Sequence, residues 1–442
     1  MRDRFDILVV GAGPAGIAAA VTAAAAGRRV GLVDDNPAPG GQIWRSGAHL
    51  PHAAQLWLAQ LNRSSVVRLH GWRVFDAPQS NLLCAEPNWG ATNGESRVRA
   101  ELSFGKLILA AGARERFLPF PGWTLPNVMG AGGLDALVRG GLPIAGKRVV
   151  VAGTGPLLLA VAAHLARRGA RIVAVCDQAS SLQLARFAAQ VAFAPGKLWQ
   201  GASYVFAMGP ARLRTGCWPI AAHGSDRLRA VTLRQGAKQW DVDCDYLACG
   251  FHLVPNIELP VLLGCRIENG FVASGELLET SVAGVYCAGE PTGIGGVELS
   301  LLEGEIAALA ASGQTEKAGK LARKRRGKFA FVRALAQVCT LNPELRALAT
   351  DDTIVCRCED VRCGALRTRA NWREAKLHTR CGMGPCQGRI CGPATEFLFG
   401  WRDASIRPPI FPAFVSSLAS PDTPMENLIA AGAPSYNTKE SR

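Results

Sequence analysis

No CxxC or CxxxxC pair is read before residue 350, and Cys84, Cys176, Cys217, Cys244, Cys249, Cys265, Cys287 and Cys339 read as scattered single thiols. A disulfide-reducing centre beside a cofactor is therefore not expected, and each of these residues is read as a small buried hydrophobe. Nor is there an unbroken apolar segment of the roughly twenty residues that a membrane span needs. The uncharged run from Ile7 to Gly27 comes nearest, but Gly11, Gly13, Pro14 and Gly16 interrupt it, which suits neither a span nor a signal peptide. We expect a cytoplasmic protein, at most peripheral to the inner membrane, whose fourteen cysteines are thiols or metal ligands rather than a disulfide framework. Zinc-finger, helix-turn-helix and aromatic-interleaved basic motifs are also missing, so the net charge of +14 points to no nucleic-acid partner. A basic surface of this kind serves solubility or steers acidic partners. No constellation of general base, nucleophile and substrate-carboxylate clamp stands out in the sequence.

What is present fills two or three domains, the prior for 442 residues of ordinary globular composition. "FDILVVGAGPAGIAAAVTAAAAGRRVGLVDD" reads as a complete mononucleotide-binding unit. Ile7 to Val10 form a strand whose continuous apolar run suits a parallel sheet covered on both faces. Gly11 permits the tight turn, Gly13 lets the backbone approach a pyrophosphate, and Gly16 lets helix and strand pack closely. The helix opened by Pro14 and Ala15 presents its positive end to the phosphates. The second strand ends in Asp34, eighteen residues after Gly16, placed to accept from a ribose hydroxyl.

Three further segments resemble those with which flavoproteins close an FAD site. "PGGQIWR", with Gly41 and Gln42, is similar to the loop along the ribityl chain; "LILAAGARERFLPFPG" resembles the re-entry turn around Gly112; and "TSVAGVYCAGEPTG" resembles the late segment, with Gly289 and Glu290. Glu290 stands where that family usually has Asp. Between them, "GKRVVVAGTGPLLLAVAAHLARRGARIVAVCDQA" repeats the strand, turn and helix, but with Leu158 at the third glycine position. Leucine there should push the helix off the strand or crowd a pyrophosphate. Two readings stay open for this unit: a structural relic, or an NAD(P) site with Asp177 at its strand end.

The charge run Arg323 to Lys328 reads as a solvated helix face, and Phe329, Val332, Leu335 and Ala336 as the apolar stripe of a connecting helix. Cys356 and Cys358 form CxC, and Cys381 and Cys386 form CxxxxC, with twenty-two residues between the pairs. Four thiolates are the complement of a [2Fe-2S] cluster. Gly382 and Gly384 let the second loop wrap sulfur closely. Zinc is the competing reading, though structural zinc sites typically use CxxC knuckles. Cys363 and Cys391 are surplus, and Cys391 stands open as a ligand in place of Cys381.

"CRCEDV" with "TRCGMGPCQGR" resembles the bacterioferritin-associated-ferredoxin-like [2Fe-2S] domain. Behind "GGQIWR", "FLPFPGW" and "GLPIAGKRVVVAGTGP", it is similar to the A (alpha) subunits of heteromeric opine and amino-acid dehydrogenases, the octopine and nopaline oxidases, hydrogen cyanide synthase B subunit and proline or hydroxyproline dehydrogenases. The resemblance implies an α/β fold of two dinucleotide-binding domains, Rossmann-like and of glutathione-reductase type, followed by a small helical [2Fe-2S] domain. Boundaries are expected at 1–120 and 271–315 for the FAD domain, 121–270 for the second Rossmann domain, 316–350 for a helical linker, 351–415 for the cluster domain and 416–442 for a loose tail. It further implies FAD, a [2Fe-2S] cluster, an FAD-containing beta subunit that oxidises substrate, and a quinone or other respiratory acceptor. Whether FMN sits at the subunit interface stays open. A self-contained NAD(P)H reductase and a non-catalytic cluster-binding module are the alternative readings.

Overall fold

The computed structural model describes residues 4–44, 50–88, 99–193, 195–208, 213–402 and 406–419, so the expected tail lies outside the described residues from 420 onward. Strand Arg4–Val10 pairs in parallel with Val30–Asp34 on one side and Ala100–Leu109 on the other, and Val30–Asp34 continues to Val67–His70. Val285–Cys287 joins Ala100–Leu109 in parallel, which returns the chain to this seven-stranded sheet after an excursion of about 170 residues. The antiparallel strands Trp72–Gln79 and Leu82–Pro87 finish one edge. All five residues of Val30–Asp34 are buried, as a sheet covered on both faces requires.

Helices Pro14–Ala25 and Val297–Ala311 pack together on one face, and small residues set how close they come. A Cβ on Gly304 would fall 2.1 Å from the Ala15 carbonyl oxygen, and one on Gly16 would fall 1.7 Å from that of Gly11. Gly16 thus performs the packing role expected of the third glycine.

The second sheet runs Leu213–Thr215, Arg171–Asp177, Arg148–Thr154, Tyr246–Phe251, Val128–Gly130, with every pair parallel. The antiparallel ribbon Cys217–His223, Ala230–Gln235, Lys238–Asp243 lies against it. Two short antiparallel strands, Ala113–Glu115 and Leu253–Pro255, carry the chain between the domains. Leu158 is buried among Val149, Val151 and Ala248, accommodated by a turn of different shape: Gly155 has φ +89° where Gly13 has −75°.

Two sequence readings need correction. Cys244 and Cys249 do stand in CxxxxC spacing, but both are buried free thiols of the second domain, and burial raises both pKa values. They are core residues, as expected, and no flavin-adjacent pair. In the charge run, Arg325 is not solvated: it is buried and pairs with Glu303 at 2.7 Å.

Helices Thr315–Arg326 and Phe329–Val338 lead to a compact end piece. Hairpin Ile354–Cys356 and Val361–Arg362 packs with helices Cys363–Arg367, Trp372–Thr379 and Cys391–Phe399 around Val355, Leu366, Trp372 and Ala375. Among the described residues no helix is long and apolar enough to cross a membrane.

Candidate cofactor centres

The first cleft is built by the glycine turn after Arg4–Val10. Gly11 has φ +103°, and a Cβ there would fall 2.3 Å from the Ala110 oxygen, so only glycine fits. Gly13 is uncrowded, the nearest atom to a Cβ there being Gly41 Cα at an ordinary contact distance of 3.9 Å. Pro14 opens the helix, and its N-terminal end is directed at this space. Gly41, at φ +58°, brings its loop against the turn, with Gln42 exposed beyond it.

Asp34 is buried at the end of the second strand; its Oδ2 accepts the Ala12 N–H at 2.5 Å and its Oδ1 the Asn36 N–H at 2.7 Å. It therefore clamps the glycine turn in addition to offering lone pairs at the cleft. Next to it in register, His70 has both ring nitrogens buried and, among the described residues, without a hydrogen-bond partner, and burial lowers its pKa. No local motif marks His70, because only strand register puts it beside Asp34.

Gly112, at φ +67°, turns the chain out of the sheet, and Gly289, at φ +82°, turns it back toward Pro14–Ala25. The Gly289 N–H donates to Glu303 Oε2 at 2.8 Å, as does the Thr292 hydroxyl, while Glu303 Oε1 accepts from Arg325. Glu290 follows; among the described residues no hydrogen bond or ion pair falls to its carboxylate, and burial raises its pKa. A bare glycine face, a helix end and a partnerless acid together fit a dinucleotide with a polyhydroxyl chain, as FAD has.

The second centre gathers five thiols. The sulfurs of Cys356, Cys381 and Cys391 lie within 4.8 Å of one another. Cys358 and Cys386 form a second, hydrogen-bonded pair, the first exposed and the second half-buried. Each sulfur group thus joins one thiol of the CxC hairpin to thiols from the later loop. Cys363 stands apart, beside Arg367 and Asp351.

Hydrogen bonds from the Cys381 and Cys391 thiols, helped by the Gly382 and Glu359 N–H groups, hold Cys356 well below the ordinary thiol pKa. Sharing that bond with Cys356 raises Cys381, and bonds with Cys356 and Cys381 raise Cys391. Such a set of packed thiols, with one already inclined to ionise, fits a metal or iron-sulfur group.

Glycine makes the loop possible. A Cβ on Gly384 would meet Cys358 Cβ at 2.3 Å, and one on Gly382 would meet the Trp372 ring at 2.7 Å. Cys356, Cys358, Cys386 and Cys391 line a partly open cavity of about 110 Å³, walled also by Arg357, Ile390 and two aromatic side chains of the flavoprotein part, Phe117 and Trp123. Trp123 Nε1 donates to the Ile354 oxygen at 2.5 Å, and the Arg357 guanidinium lies 5.4 Å from its ring. "FLPFPGW" carried no local sign of this contact, which spans more than 230 residues.

Residues 5–304 match the family described as pyridine nucleotide-disulphide oxidoreductase. The opine oxidase A subunit of Rhizobium meliloti (strain 1021) is 32% identical, over 94% of this chain and 98% of its own. Hydrogen cyanide synthase subunit HcnB of Pseudomonas protegens is 31% identical, over 87% of this chain and 89% of its own. Among solved structures, the L-proline dehydrogenase from P. horikoshii shares the fold with a TM-score of 0.63 at 17% identity, covering 95% of this chain and 80% of that one. The chain belongs to the pyridine nucleotide-disulphide oxidoreductase family, beside the opine oxidase A and hydrogen cyanide synthase B subunits, and is an FAD-dependent oxidoreductase.

Proposed function

We propose that the chain is the electron-transferring subunit of a heteromeric dehydrogenase that oxidises the C–N bond of a small amino acid or opine, of the proline, hydroxyproline, octopine, nopaline or glycine class. An FAD-containing partner subunit holds the substrate, and a quinone or other respiratory carrier takes the electrons. Gly11, Gly13, Gly16, Asp34, Gly41, Gln42, Gly112, Gly289 and Glu290 would hold FAD, and Cys356, Cys358, Cys381 and Cys386 a [2Fe-2S] cluster, with Cys391 the alternative to Cys381. When bound, a flavin takes up an electron pair and gives up single electrons, which a [2Fe-2S] centre carries one at a time.

The observation that carries this reading is the thiol cavity walled on one side by Phe117 and Trp123. The re-entry segment that leaves the flavin sheet at Gly112 continues through Arg114, whose Nε donates to the Arg389 oxygen at 3.1 Å, inside the cysteine loop. Arg114 and Arg389 share Glu258. These contacts tie the segment that leaves the flavin sheet to the cysteine loop, which supports a relay between the two proposed centres.

The test is anaerobic co-expression with an amine-oxidising flavoprotein partner. A stable complex, about two irons per chain of this protein, a reduced-cluster paramagnetic signal on adding substrate, and dye reduction by one of the named substrates are expected. Zinc in place of iron, or a cluster that stays oxidised while the flavin is reduced, would overturn the reading.

A further inference from the structure

We propose that the cleft of the second dinucleotide-binding unit is the docking site of the chain's own linker, residues 329–342, which fills the place of a nucleotide and fixes the approach of the cysteine module. A nucleotide-binding turn needs its second glycine bare on the face toward the pyrophosphate. Gly13 meets that need. Gly155, its counterpart, does not: a Cβ there would fall 2.7 Å from Cys339 Sγ, so a thiol of the linker already stands where the phosphates would come.

The polar groups around the turn are spent in the same way. Gln178, buried just past the second strand, donates through Nε2 to Thr154 Oγ1 at 3.1 Å and to the Thr340 oxygen at 3.0 Å, and accepts the Asn342 N–H at 2.8 Å. Asp177 clamps its turn as Asp34 does, accepting the Gly155 and Ala179 N–H groups, so it is Gln178 and not this acid that sets the second unit apart. One glutamine thus satisfies a donor and an acceptor of the linker backbone, as a bound peptide would be held.

Apolar contacts complete the seat. Leu335, Val338 and Cys339 pack with Ala179, and the Phe331 and Phe187 ring centroids are 6.3 Å apart. Gln337 accepts from Gln190 at 3.0 Å. Beyond Asn342, the side chains of Leu345 and Leu348 enter the same core as Trp123 and Trp218, where Leu341 already sits. Fourteen residues after Asn342 the chain reaches Cys356. A segment seated at both points leaves the first cysteine hairpin little freedom, and a loose linker would not.

The test uses the full chain loaded with FAD and iron. Calorimetric titration with NADH, NADPH and ADP should show no saturable binding up to millimolar concentration, and NADH should not bleach the flavin. In the native chain Cys339 should resist iodoacetamide, with its peptide alkylated only on denaturation, while Cys358 serves as the exposed reference in cluster-free protein. Gln178→Ala should speed amide exchange across residues 339–345 at least tenfold. Binding of any of these nucleotides below roughly 100 μM, or rapid native alkylation of Cys339, overturns the proposal without the aid of a variant. A Gln178→Ala protein that folds with unchanged exchange also overturns it. None of these readouts depends on the partner subunit, so they fail or succeed separately from the relay reading.

Discussion

Arg325 lies in a run of basic residues whose composition describes a solvated surface, and it is the one that turns inward. Its Nε meets Glu303 at 2.7 Å, its guanidinium lies over the Phe329 ring, and Glu303 in turn holds the Gly289 N–H that shapes the late flavin segment. Burial pushes the Glu303 pKa up and Arg325 opposes it. Arg325→Met leaves a buried carboxylate uncompensated and should cost about 3–5 kcal/mol, read from urea unfolding. Adding Glu303→Gln should recover part of that loss, because the unpaired charge is then gone. His252 shows the same scale of effect through protons. Its backbone has φ +69°, and burial, aided by Arg116, lowers its pKa to about 4. The unfolded chain therefore binds a proton near pH 6.5 that the folded chain refuses until about pH 4. The contribution to stability is complete above pH 6.5 and is lost as pH falls toward 4, up to about 3 kcal/mol. Asn tolerates positive φ, so His252→Asn should keep the turn and flatten the acid limb of stability against pH in that window.

At the scale of elements, the cysteine loop is set by what it cannot hold. Gly384 sits against Cys358 Cβ, whereas Gly392 has nothing within 4 Å of a Cβ. If the thiols hold the proposed cluster, Gly384→Ala should displace Cys358 and lower bound iron several-fold, while Gly392→Ala should leave it unchanged, both measured by iron analysis of anaerobically purified protein. The loop was legible in the sequence because its signal is local: cysteine spacing and the glycines between. The strand, turn and helix from Ile7 to Asp34 were legible for the same reason. The connecting helix was legible only in its existence. Of the stripe expected at Phe329, Val332, Leu335 and Ala336, Leu335 is buried, but Ala336 is exposed, and the other deeply buried positions are Ala334 and Val338. The phase differs because this helix is seated against Ser181–Gln190, a surface formed some 140 residues earlier, and a periodicity read along one segment carries no information about the direction of its partner. Trp123, His70 and Glu258 went unnoticed on the same ground: each gains its meaning from a contact distant in sequence.

For the whole molecule, the question is whether the cysteine module is a separate body on a tether or a part of one folding unit. Its helix Cys391–Phe399 shares core contacts with the second domain through Phe397, as does Ile390 just before it, and Arg346 donates to the Phe397 oxygen across the seam. On the flavin side, Glu258 lies between Arg114, at 2.9 Å, and Arg389, at 3.8 Å, all three side chains at most one-fifth exposed. Arg389 also lies over the Phe411 ring, 3.8 Å from its centroid, and donates to the Ile410 oxygen. Two half-buried guanidiniums around one carboxylate make that carboxylate the keystone: with it they attract, and without it they repel in a medium that screens poorly. The intact protein should therefore lose flavin and thiol-bound metal absorbance in a single thermal transition, because the module has no boundary of its own at which to part. Glu258→Gln keeps the size and two hydrogen-bonding atoms but removes the charge. It should split the transition, with metal absorbance lost first and flavin absorbance retained to near the wild-type temperature. A single shifted transition in that variant would mean that the seam of apolar side chains, and not the charged triad, joins the halves, and the repulsion between Arg114 and Arg389 would then be relieved by water entering between them.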